Sequence, residues 1–224
     1  MSRWPYFAVL LIALCVASWW TYQNRDQLGI AKYLPNHSAA VAGDDSAADA
    51  GSSLSTIKPA NVEWHTIDRD AEGFHIDMPA GYKDAQAPAT SENGSTEQIH
   101  MLSASPDGDS TYAITWADNP PVARVNGNDP DHILDQARDG MLASTQTTLI
   151  TETRITVAGF PGRQILATNA AGGMLNARLI YAPNASNGRL YTLMALFPTA
   201  GARSEKDVDR FFSSFRPEQS ATKS

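Results

Sequence analysis

The side chains able to do chemistry in this 224-residue chain are few and scattered. Histidines stand at His37, His65, His75, His100 and His132. If the strands carrying His65, His75 and His100 were neighbours, their imidazoles could meet. A metal centre, however, needs three or four convergent ligands with supporting hydrogen bonds, and no spacing links these three. The expectation is solvent-facing strand histidines and no metal. Asp107-Gly108-Asp109 has the opening of a calcium loop without its later ligands or terminal glutamate, so it reads as a tight turn. Asp77 with Asp68 or Asp70 would form an acid pair only if the fold brought them together. No serine lies in a G-x-S-x-G elbow, and Ser213-Ser214 belongs to an amphipathic helix. The pair that remains is Arg163 and Arg178, two guanidinium groups on separate strands that could recognise a carboxylate or phosphate. No catalytic residue and no cofactor is assigned.

These residues must be positioned by a strand-rich region with two helices. Val62–Ile67 and Gly73–Met78 read as strands; in the second, Phe74, Ile76 and Met78 alternate with His75 and Asp77. Gln98–Ser103 and Thr111–Trp116 follow. Asp129 is the N-cap of a helix with Pro130 at its first position, and Ile133, Leu134, Ala137, Met141 and Leu142 form its apolar stripe. Thr151, Thr153, Ile155 and Val157 alternate in the next strand, and Ala158-Gly159-Phe160-Pro161-Gly162 is expected to turn the chain. Arg163, Ile165 and Ala167 face one way on the strand after it, as do Leu175, Ala177, Leu179 and Tyr181 on the next. Leu190–Phe197 is apolar on both faces, the mark of a central strand covered on both sides. Ser204 caps a last helix whose Val208, Phe211, Phe212 and Phe215 should dock on the sheet. Tyr112, Trp116, Tyr181 and Tyr191 could line a pocket, although such rings on a sheet face are more often core. The sum is an α+β fold, an antiparallel-dominated sheet flanked by helices.

Composition bounds the rest. The net charge of -7 and pI near 5.1 argue against a general nucleic-acid binder. Residues 61–217 have the length of a single domain, able to bury roughly 70% of its unfolded surface. The lone Cys15 lies ahead of that region, which therefore has no disulfide and no thiol nucleophile. Residues 1–22 hold an uncharged run from Trp4 to Tyr22 behind Arg3, with Trp4 and Tyr6 at one end and Trp19, Trp20 and Tyr22 at the other. About 17–20 apolar residues span a bilayer, and paired aromatic ends suit its two interfaces. A transmembrane signal anchor is expected, with Arg3 on the cytoplasmic side and the domain on the periplasmic or extracellular side. A cleaved signal peptide ending near Val16-Ala17-Ser18 is the alternative. Leu14 ahead of Cys15 departs from a lipobox, so lipidation is not expected. Residues 23–60, rich in Ala, Ser, Gly and Asp, read as a flexible linker; its last 26 residues or so would span roughly 28 Å root-mean-square. Residues 218–224 read as a polar, frayed tail.

The strand Gly73-Phe74-His75-Ile76-Asp77-Met78-Pro79-Ala80-Gly81-Tyr82 resembles the F-x-[IV]-x-x-P-x-G-[WY] opening of PsbP-like domains. The middle helix, Gly159-Phe160-Pro161-Gly162-Arg163, Gly188-Arg189-Leu190-Tyr191-Thr192-Leu193 and Phe211-Phe212-Ser213-Ser214-Phe215 are similar to further modules of that family, in the same order. The resemblance implies a PsbP-like α/β/α sandwich, shared with the DcrB family of bacterial envelope proteins. It implies an accessory or binding role rather than catalysis, and carries no catalytic motif or metal ligand onto this chain. The expectation is thus a membrane-tethered, envelope-facing, non-catalytic module that engages a protein partner. An exported small-ligand-binding domain and a hydrolase are the alternatives.

Overall fold

A computed structural model describes residues 62–90, 96–118, 120, 129–183, 188–202 and 204–218. The expected anchor, the linker, His37 and Cys15 lie outside the described residues. Among those that are described, no helix is long and apolar enough to cross a membrane.

Among the described residues, ten strands form two sheets. In chain order they are β1 (Trp64–Arg69), β2 (Phe74–Pro79), β3 (Lys83–Thr90), β4 (Thr96–Ala104), β5 (Thr111–Asp118), β6 (Thr148–Val157), β7 (Phe160–Thr168), β8 (Met174–Ala182), β9 (Arg189–Phe197) and β10 (Arg216–Pro217). Helix α1 (Pro130–Thr145) lies between β5 and β6, and α2 (Glu205–Ser214) between β9 and β10. The large sheet runs β3-β4-β5-β9-β8-β7-β6 and the small one β1-β2-β10. Every described pairing is antiparallel.

The doubly apolar Leu190–Phe197 segment is where its pattern requires, in the centre of the large sheet as β9. Leu193 and Ala195 face one core with Ile114, Trp116, Phe74, Ile76, Met78, Phe211 and Phe215. Met194 faces the other with Ile133, Leu134, Ile165, Leu175 and Leu179. Thus α1 covers one face of the large sheet, and α2 with the small sheet covers the other. Phe74 anchors the second layer by edge contacts with Trp116 and Tyr191, at centroid distances of 5.0 and 5.7 Å.

Both helix starts follow from local chemistry. The Asp129 carboxylate accepts from the Asp131 N–H, with proline opening α1. The Ser204 hydroxyl accepts from the Asp207 N–H. Asp107 closes the β4–β5 turn by accepting from the N–H groups of Asp109 and Ser110 at 3.0 and 2.6 Å.

The β6–β7 connection differs from expectation. The turn is Ala158-Gly159 alone, both residues at positive φ (49° and 88°), and Val157 pairs with Phe160. That is the geometry of a tight hairpin whose twist matches its strands. Phe160, Pro161 and Gly162 lie inside β7. Gly162 is required there by packing: a Cβ would sit 2.6 Å from the Leu179 carbonyl oxygen.

Candidate functional site

The two arginines singled out from the sequence do not converge. In the β7–β8 register Gln164 lies opposite Arg178 and Arg163 opposite Leu179, so the side-chain period of two sends Arg163 and Arg178 to opposite faces. A shared anion site is therefore corrected. Arg163 points under α1 with a side chain only 4% exposed. Its guanidinium donates to Asp131 at 2.6 Å and Asp135 at 3.3 Å on α1, and pairs with Glu152 of β6 at 3.0 Å. Asp131 and Asp135 are one helical turn apart, so both present to the same strand residue. The Arg163 guanidinium beside Asp131 holds its carboxyl below the ordinary carboxylate value. Glu152 also takes Arg138 at 2.7 Å, and together these pairs bolt α1 to the β6–β7 hairpin.

Arg178 lies on the α2 face. It donates to Gln164 at 2.5 Å and to the Phe212 carbonyl in the last turn of α2 at 3.1 Å. Its guanidinium stacks over the Phe212 ring at 4.9 Å. A cation on the last carbonyls of a helix satisfies acceptors that have no intrahelical partner. Burial lowers the Arg178 pKa from its ordinary value. Both arginines are thus employed in joining helices to the sheet.

The histidines separate as well. His100 stacks on Trp116 at 5.2 Å, and His65 lies beside Glu63 at 3.4 Å on β1. His132 contacts Gln136 on α1 at 2.6 Å. Among the described histidines, His75 alone meets two carboxylates. The β1–β2 register sets Asp68 opposite His75, and their side chains meet at 2.6 Å through Nδ1. On the other side Nε2 meets Glu218 Oε1 at 2.7 Å. Two ring nitrogens bonded to two carboxylates make both nitrogens donors, the imidazolium form. Asp68 first, then Glu218, raises the His75 pKa above its ordinary value. Asp70, on the 3-10 turn Asp70–Glu72, completes the group: Asp70, His75 and Glu218 each offer one ligand atom, the three within 4.8 Å of one another.

Three chain segments build this cluster. Gly73 takes a φ of 67° to close the turn after Asp70. Its carbonyl accepts from the Glu218 N–H at 2.8 Å and from the Tyr191 hydroxyl at 3.2 Å. Arg189 donates to the Glu72 carbonyl and chelates Asp118 at 2.5 and 2.8 Å. The turn is thus held down by β9 of the large sheet. Glu218, expected in the frayed tail, is fixed by these contacts after the short β10. Sequence reasoning missed it because a two-residue strand has no readable period. The acidic groups imagined as a pair do not form one: Asp77 accepts instead from Thr66 at 2.8 Å and Arg210 at 3.0 Å.

The outer strands of the large sheet differ in kind. At one edge β3 carries Lys83 and Pro88, both typical of strands guarded against pairing. At the other, β6 is ten residues long and rich in threonine and β-branched residues. Among the described residues it pairs only with β7. A bulge between Leu149 and Thr151 leaves Ile150 outside the ladder. Leu149 and Ile150, consecutive in the chain, are 37% and 49% exposed.

No protein-family model matches the chain, and no curated protein matches it. Among solved structures it is similar to cyanobacterial PsbP (CyanoP) from Synechocystis sp. PCC 6803: 13% identity, covering 73% of this chain and 98% of that one, with a TM-score of 0.47. It is also similar to the protein of unknown function PA94 from Pseudomonas aeruginosa: 14% identity, 60% of this chain, 83% of that one, TM-score 0.31. Both are distant likenesses of shape.

Proposed function

We propose that this protein is a membrane-tethered, envelope-facing, non-catalytic accessory module that engages a protein partner through the outer edge of β6. The observation that carries the reading is that edge: ten residues paired on one side, opening with the exposed Leu149 and Ile150. An extended partner segment laid along it would gain a row of main-chain hydrogen bonds, with side-chain contacts setting specificity. The opposite edge is blunted, so the sheet has one receptive side. The uncharged Trp4–Tyr22 run would hold the domain at the membrane, and the linker would let it reach a partner nearby.

In-cell cross-linking of the tagged full-length protein, followed by mass spectrometry, tests this. One reproducible envelope partner is expected, lost in the double variant Leu149→Lys/Ile150→Lys and kept when the linker is shortened by several residues. A partner whose capture is indifferent to the double variant would refute the β6 reading.

A further inference from the structure

The geometry points to a second site at the far end of the small sheet: we propose that Asp70, His75 and Glu218 bind a divalent transition-metal ion, with Asp68 orienting the imidazole. The three ligand atoms lie within 4.8 Å of one another, and His75 Nε2 and Glu218 Oε1 are already 2.7 Å apart. Around a tetrahedral ion with bonds near 2.1 Å, ligand atoms are about 3.4 Å apart. The set therefore closes on an ion when the side chains rotate and Nε2 releases the proton it donates to Glu218. Asp68 sits on Nδ1 at 2.6 Å. A carboxylate there fixes the tautomer with its proton on Nδ1 and turns the Nε2 lone pair toward the metal, the arrangement that ligating histidines commonly have.

The supporting frame is built. The backbone that carries Asp70 is tied to the large sheet through Arg189 and Tyr191 on the Glu72 carbonyl. Glu218 is tied to the same turn by its N–H on the Gly73 carbonyl. One imidazole with two carboxylates is a mixed donor set. It suits zinc and its transition-metal neighbours better than magnesium or calcium, which prefer all-oxygen ligands. Three protein ligands leave a coordination position for water or for a donor from another molecule. An ion here would join the residue after β10 to the β1–β2 turn, a clamp between the end of the domain and its beginning.

Asp70 separates this proposal from a simple ion-pair cluster. Among the described residues the Asp70 carboxylate makes no hydrogen bond or ion pair, whereas Asp68 and Glu218 contact His75 directly. Full-length protein stripped with chelator is titrated calorimetrically with zinc chloride, alongside Asp70→Asn, Glu218→Gln, Asp68→Asn and, as a surface control, His65→Gln. Wild type and His65→Gln should share one saturable site. Asp70→Asn and Glu218→Gln should weaken it at least tenfold, and Asp68→Asn by about tenfold, as for lost partners of a ligating histidine. Zinc should raise the melting temperature of wild type and not of Asp70→Asn. Circular dichroism and melting in chelator confirm that each variant is folded. Undiminished zinc affinity in Asp70→Asn, or equal losses in His65→Gln, would overturn the site.

Discussion

Replacing Arg163 with methionine removes a guanidinium whose side chain is 4% exposed and bonded to three carboxylates, while keeping most of its apolar stem. The three partners do not count equally. The Asp131 and Asp135 side chains are 48% and 45% exposed, so water takes over much of what Arg163 supplied. Glu152 is 20% exposed and 3.0 Å from Nε. A hydrogen bond to a charged group in such surroundings contributes about 1.5–3 kcal/mol. Relief of the guanidinium's own desolvation offsets part of this, and Arg138 remains on Glu152. The net loss should be about 2 kcal/mol, a fall in melting temperature of about 4–8 °C for a domain of this size. Denaturant unfolding of the full-length protein measures it. A double-mutant cycle apportions it: coupling of Arg163→Met with Glu152→Gln should exceed its coupling with Asp131→Asn. Equal stability of Arg163→Met and wild type, or the reverse order of couplings, would refute this weighting by burial.

Three further outcomes are expected. Because the folded-state pKa of Asp131 is depressed by Arg163, the stability it contributes is present above its unfolded value. It is lost as pH falls through the folded one, so the wild-type advantage over Arg163→Met should shrink below about pH 4 in acid-unfolding curves. Ala158 is held at a φ of 49° beside Gly159, in a turn that prefers Asn-Gly, so Ala158→Asn should stabilise by roughly 0.5–1 kcal/mol in thermal melts. Gly162→Ala would press a Cβ to 2.6 Å from the Leu179 carbonyl. A loss of about 1–3 kcal/mol in denaturant unfolding is the expected cost of overpacking there.

The fold was legible wherever burial imposes a period. Phe74, Ile76 and Met78, most of the α1 stripe, the middle of the central Leu190–Phe197 strand and Phe211, Phe212 and Phe215 are buried as their spacing required, with Leu142, Leu190 and Leu196 partly so. β3 was missed because Lys-Asp-Ala-Gln-Ala-Pro-Ala-Thr is an edge strand with few large apolar side chains and a proline. Gly162 looked like turn punctuation, yet its reason is a neighbouring carbonyl on β8, which no local pattern reports.

The candidate sites were less legible. Arg163 and Arg178 were visible as unusual strand cations, but their partners are 28 to 34 residues away in sequence for the contacts with α1 and α2. The parity that sends them to opposite faces becomes visible only once the register is known. His75 and Asp68 sit seven residues apart across a hairpin, a spacing that strand alternation and turn length could have flagged. Glu218 is 143 residues from His75, and no local signal could have joined them.

The most direct test of the central reading places a photo-cross-linkable residue at Thr153, in the middle of β6, and another at Gln86, in β3, in the full-length protein in cells. Capture of one envelope protein from Thr153 and not from Gln86, abolished by Leu149→Lys/Ile150→Lys, is the expected result. Specific capture from Gln86 with none from Thr153 would contradict it.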